Sequence, residues 1–234
     1  MHSTDHDCVA SYRTLSRLIG WAGLLMPAVV RVGALLADGV GATDSLSAYY
    51  YTSMRDIFVS TTVLTGVLLL CYRTAHVQDT VVATLAGLAA IGLALFPMDP
   101  VYAAELLARY PDLGTDRHYA AGGALGYHLA CAVAFAGLSF YLVFFRFGAV
   151  VCDDRPRAAA RRLAYRLCGA MMLLSFAAIA VLTVFDHGAS YFWPETCAVS
   201  ALAVAWLVKG EALLKEAVPA ACVPAAEDAT LHLH

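Results

Sequence analysis

Residues 147–185 read FGAVVCDDRPRAAARRLAYRLCGAMMLLSFAAIAVLTVF. The stretch opens as a loop with Arg155, Arg157, Arg161 and Arg162, passes Arg166, and ends in an uncharged apolar run. An α-helix rises about 1.5 Å per residue, so about 20 apolar residues cross about 30 Å of hydrocarbon. Residues 163–185 fit that length, and the arginines before them mark the side on which the helix begins.

The same reading extends outward along the chain. Apolar stretches at 14–37, 53–72, 79–98, 120–145 and 192–213 are each long enough to span, giving six crossings in all with 163–185. The 234 residues are 61% hydrophobic and only 14% charged, against about 25% charged in a soluble domain. Lipid must therefore act as solvent for much of the surface. Ala, Leu and Gly are spread without the two-residue alternation of a barrel, so the crossings are helices. No polar linker divides the chain. The expectation is one all-α membrane domain, a six-helix bundle with polar tails at 1–13 and 214–234. The start MHSTDHDCVASYRT lacks the basic opening of a cleaved signal peptide, so the first helix is expected to be retained.

Basic residues set the orientation. Arg13, Arg17, Arg73, Arg146, Arg155, Arg157, Arg161, Arg162, Arg166, Lys209 and Lys215 fall on one side. Arg55, Arg109 and Arg117 fall on the other, and Arg31 lies within the first helix. Eleven against three predicts cytoplasmic termini in a bacterial inner membrane, with the 147–162 loop beside anionic lipid. The absence of Asn and the excess of Arg over Lys suggest a GC-rich genome.

The opposite segments, 38–56, 97–119 and 186–195, are rich in Tyr, Asp and His, with a Trp in the last. Part of this is the aromatic belt of any membrane protein. Residues 101–110, VYAAELLARY, suit a short helix lying on the surface. Of three consecutive tyrosines, Tyr49 to Tyr51, at least one hydroxyl is expected to point inward.

Ionisable groups at membrane depth are the candidate functional groups. Arg31 lies about two turns from the end of helix one, and Asp56 or Glu195 is its expected partner, with Asp186 behind them. Thr52, Asp56 and Ser60 share a helical face. Desolvated Asp56, Glu195 and Asp186 are the candidate acid/base groups. Arg31, Tyr50, Arg55, His128 and Trp193 are the candidate substrate contacts. His128, in GGALGYHLA, would ligate a metal only with Asp99, His118, Asp186, His187 or Glu195, and no zinc spacing is present, so no metal site is assigned. The sequence leaves the cofactor open.

The strings SLSAYYYTSMRDIFVS (45–60) and ALFPMDP (94–100), followed by a helix-four histidine, resemble an uncharacterised family of bacterial multi-spanning membrane proteins. That resemblance implies six helices and no known activity. A GxSG serine, a late HxxxH and a CxxC are all absent, which sets aside rhomboid-type proteases, ceramidase-like hydrolases and quinone-coupled thiol enzymes. The seven cysteines show no disulfide framework.

Three functions remain open on the sequence. The first is a membrane enzyme using acid/base chemistry on a lipid or isoprenoid-like substrate, by hydrolysis or proton-initiated cyclisation. The second is a small proton-coupled transporter or channel, and the third a non-catalytic scaffold subunit. Expected partners are membrane lipids and a hydrophobic small molecule. Nothing points to nucleic acid.

Overall fold

The computed structural model describes residues 2–74, 76–98, 103–113, 124–149, 151, 157–185 and 190–215. Among them every regular element is helical: α1 (His2–Asp38), a 3-10 helix η1 (Leu46–Tyr51), α2 (Arg55–Cys71), α3 (Val77–Leu95), α4 (Ala104–Arg109), α5 (Ala124–Tyr141), α6 (Ala158–Phe185) and α7 (Phe192–Lys209). A π-helical turn, Leu142–Phe147, continues α5. Four helical segments are long and apolar enough to cross a membrane: Ala10–Asp38, Val77–Leu95, Gly126–Phe147 and Ala158–Phe185.

The helix limits differ from the hydropathy boundaries in instructive ways. Helix one starts at His2 rather than 14. A hydropathy window ends where the chain turns polar, whereas a helix continues as long as its polar face is satisfied. Here Arg13 donates to Glu211 at 3.0 Å and Arg17 Nε donates to the Gly210 carbonyl at 2.7 Å, which fasten the polar part of α1 to the end of α7. Helix six starts at Ala158 rather than 163, because AAARR is made of strong helix formers. Helix three ends at Leu95, before the FP step at 96–97, since a residue ahead of proline disfavours the α conformation. Helix seven stops at Lys209 rather than 213, and positive-φ residues follow at Glu211 and Leu214. Within 101–110 a short helix is present, α4 at Ala104–Arg109, with residues 101 and 102 outside the described residues.

The long helices form a ring. α1 packs against α7 and α2, α2 against α3, α3 against α5, and α6 against α7. α5 meets α6 mainly through its π-helical turn. The ring is therefore closed at the arginine-rich end, by the π-helical turn against α6, and loose between α5 and α6 at the other end.

Small residues make the tight joints. A Cβ at Gly66 would lie 2.6 Å from Ile91 and 2.7 Å from the Gly87 carbonyl, and one at Gly20 would lie 2.9 Å from the Ala203 carbonyl. Without a hydrophobic drive between helices in lipid, such close backbone approach is the main source of attraction.

Two cores fill the ends. At the arginine-rich end Trp206 meets Tyr72 and Phe147 edge-on at 5.0 Å each, and Phe147 meets Tyr165 at 5.6 Å. At the tyrosine-rich end Tyr49, Tyr50 and Tyr51 are buried with Val30, Phe58 and Phe192. The outer faces carry exposed apolar residues. On α1 these are Leu18, Trp21, Leu25, Val29, Val32 and Leu36, all on one side of the helix. Such a stripe is an aggregation hazard in water and a normal surface in lipid.

Candidate functional site

Between the two cores lies a cavity of about 500 Å³. Its wall is apolar over most of its area and includes Ile19, Phe58, Val133, Phe176, Leu202 and Trp206. Polar groups are few: Glu195, the hydroxyls of Ser47, Ser139, Thr61, Thr62 and Thr65, and little else. This is the composition of a pocket for an apolar-chained ligand, with a small number of polar groups to orient it.

Glu195 sits in the first turn of α7, where a carboxylate suits the helix dipole. It accepts from the Leu46 N–H at 2.6 Å and from the Ser45 hydroxyl at 2.8 Å. Ser45 is the N-cap of η1 and its oxygen also accepts from the Ser47 N–H at 3.1 Å. The segment SLSAYYY forms this short helix because serine offers a cap and tyrosines can bury a ring while bonding a hydroxyl. Tyr49 donates to the Gly41 carbonyl at 3.2 Å, and Tyr51 donates to the Met98 carbonyl. The α7 end is tied to the same loop by Tyr191 and Phe192 N–H groups, which donate to the Asp44 carbonyl at 2.6 and 3.1 Å.

His128 is buried on the second turn of α5. Its Nδ1 lies 2.7 Å from the Phe96 carbonyl and its Nε2 lies 3.3 Å from the Ser47 hydroxyl. One side chain thus links α5 to the end of α3 and to η1. A carbonyl only accepts, so Nδ1 carries the hydrogen, and in the neutral ring Nε2 accepts from Ser47.

The expected pairing of Arg31 with Asp56 is not formed. The Arg31 guanidinium lies over the rings of Phe192 and Trp193, 5.3 and 5.0 Å from their centroids. Among the described residues, aromatic faces rather than a carboxylate offset its charge. Asp56 is exposed in the first turn of α2, and so is Ser60. The face of α2 that turns to the cavity holds Phe58, Thr61, Thr62 and Thr65, not Thr52, Asp56 and Ser60. Its threonines concealed this face, since threonine counts as neither apolar nor ionisable. Tyr50 is buried, with the Arg55 guanidinium 4.8 Å from its ring centroid and donating to its hydroxyl at 3.1 Å. Trp193 is exposed on the bundle surface. Of the expected site residues, Glu195 lines the cavity and His128 bonds to a cavity-lining serine. Asp186, like Asp99, His118 and His187, lies outside the described residues. Among the described residues no group of three or more His, Cys, Asp or Glu could hold a metal ion.

Two buried carboxylates at the arginine-rich end, which hold three arginines, escaped sequence reasoning. Asp79, buried in the first turn of α3, is ion-paired with Arg146 of the π-helical turn. Glu211, also buried, receives Arg13 at 3.0 Å and Arg161 at 3.9 Å. The positive-inside count treats Arg13, Arg146 and Arg161 as topology markers alone. Lys209 lies 4.1 Å from the Phe147 ring centroid, sealing that end with a cation on an aromatic face.

Comparison of the chain with protein-family models, with curated proteins and with solved structures finds no match.

Proposed function

We propose that the chain is a multi-pass enzyme of a bacterial inner membrane, using acid/base chemistry on an amphiphile with an apolar tail. The single observation that carries this reading is the cavity of about 500 Å³, apolar along its length, with the Glu195 carboxyl at its polar end. Glu195 has no cation within ion-pair range among the described residues and only two neighbouring groups to donate to it. A carboxyl placed so can take up and release a proton next to a bound molecule. The tail comes in sideways, through the loose seam between α5 and α6, whose residues Val133, Ala136, Phe176 and Ala180 belong to the wall.

In this reading all six long helices cross the membrane. α2 and α7 do so within the ring, covered on both sides by neighbours. The termini and the basic 147–162 loop are cytoplasmic, as the distribution of arginine requires. The site then lies toward the outer leaflet. A transporter needs a polar route through the other half as well, and there Trp206, Tyr72, Phe147 and Tyr165 fill the ring. This favours an enzyme over a transporter. A scaffold subunit has no use for the cavity.

The test is lipid turnover. The protein is reconstituted into liposomes of bacterial polar lipids, and lipid composition is followed by mass spectrometry for the wild type and Glu195→Gln. The expected result is loss of one lipid class with the wild type and at least a tenfold slower loss with the variant. Unchanged lipids, or equal rates in both proteins, would overturn the reading.

A further inference from the structure

The geometry points to Ser47 as a nucleophile and His128 as its base, acting on the carboxylic ester of a long-chain acid held in the cavity. This rests on reading the cavity as a substrate site. Ser47 lines the cavity, and its hydroxyl lies 3.3 Å from His128 Nε2. The Phe96 carbonyl, 2.7 Å from Nδ1, fixes the tautomer that leaves Nε2 free to accept. A nucleophile bonded to a base whose other nitrogen is oriented by a third group is the arrangement that activates a serine. It is recognised by geometry and not by sequence position, so the absence of GxSG does not count against it. The three parts come from η1, α5 and the end of α3. A residue that only packed α5 against α3 would not need a second bond into the cavity wall.

The chemistry balances with water as the one co-substrate. Ser47 Oγ adds to the ester carbonyl carbon as its proton passes to His128 Nε2. The bond to the alcohol oxygen breaks, and the alcohol leaves with that proton. Water then adds to the acyl carbon and gives a proton to the Glu195 carboxylate. The proton returns to Oγ as the acyl–oxygen bond breaks, and the acid is released. The Thr61 hydroxyl lines the same cavity and makes no hydrogen bond among the described residues. It is a donor of the kind that the negative oxygen of each adduct requires.

The test treats the purified full chain with a hexadecyl fluorophosphonate and maps the adduct by peptide mass spectrometry. The expected result is a single phosphonylated residue, Ser47, absent in Ser47→Ala and formed at least tenfold more slowly in His128→Gln. Mapping on the wild type needs no variant to fold. Glu195→Gln should keep the adduct, and with 4-nitrophenyl decanoate it should release one equivalent of nitrophenol and stop as a decanoyl-enzyme. An adduct elsewhere, or none on folded protein, would overturn the assignment of Ser47. If lipid is turned over while Ser47 stays unlabelled, the assignment fails and the proposed enzyme stands. If Ser47 is labelled but no lipid changes, the assignment stands and the broader reading fails.

Discussion

The Glu195 carboxylate accepts a 2.6 Å hydrogen bond from the Leu46 backbone N–H, joining the first turn of α7 to the first residue of η1. The bond closes the tyrosine-rich end of the bundle and leaves the carboxyl facing an apolar cavity. Structure and the proposed chemistry therefore share one group, and they can be separated by substitution. Glu195→Gln keeps an oxygen acceptor for Leu46 and Ser45 but cannot exchange a proton, so it should unfold within a degree or two of the wild type and lose turnover. Glu195→Leu strands two donors, at about 1–3 kcal/mol. Thermal unfolding in detergent, with lipid turnover on the same samples, checks both halves.

A bulky side chain in the seam between α5 and α6 should block access without loosening the fold. Ala136 belongs to the cavity wall and lies where those two helices part. Ala136→Trp is expected to slow turnover at least tenfold, about 1.4 kcal/mol of access or binding, with an unchanged unfolding temperature. Equal rates for the variant and the wild type would place the route elsewhere.

The α2–α3 joint depends on glycine at two positions. Ile91 and the Gly87 backbone occupy the space that a side chain at Gly66 would need. Gly66→Ala should cost about 1–3 kcal/mol through forced separation of the helices. Gly137→Ala is the control, because a Cβ there meets nothing within 4 Å.

Asp79 is the buried partner of Arg146. Asp79→Ala leaves that cation facing a void and should cost about 3 kcal/mol in thermal or denaturant unfolding. Asp79→Asn, which still accepts a hydrogen bond, should cost less. The site is far from this pair, so turnover below the unfolding temperature should hardly change.

Arg31 rests on the rings of Phe192 and Trp193. Trp193→Ala should destabilise the chain by about 1 kcal/mol, and in an Arg31→Met background the same change should cost much less. Equal costs in both backgrounds would show that the two side chains do not interact.

The helical ring and the short α4 were legible because apolar length and composition register directly in the sequence. Helix ends were less so, since α1 continues through polar residues on contacts with Gly210 and Glu211, nearly two hundred positions away. Glu195 and His128 stood out as ionisable groups in apolar runs. Ser47 did not, because a serine among tyrosines carries no charge to mark it, and its worth depends on a histidine 81 positions on. Arg31 misled for the opposite reason. A charge at membrane depth suggests a carboxylate partner, but among the described residues two aromatic rings meet it, and sequence gives no rule for choosing between them.

The account turns on the cavity receiving an apolar tail from the bilayer. A phospholipid with a photoreactive diazirine at the end of one chain tests this directly, in liposomes containing the protein and with adducts mapped by peptide mass spectrometry. Labelling of Phe58 and Leu202, which line the cavity and are shielded from surrounding lipid, is the predicted result, lost in Ala136→Trp. Labelling confined to outward side chains such as Leu25, Leu88 and Leu174 would contradict it.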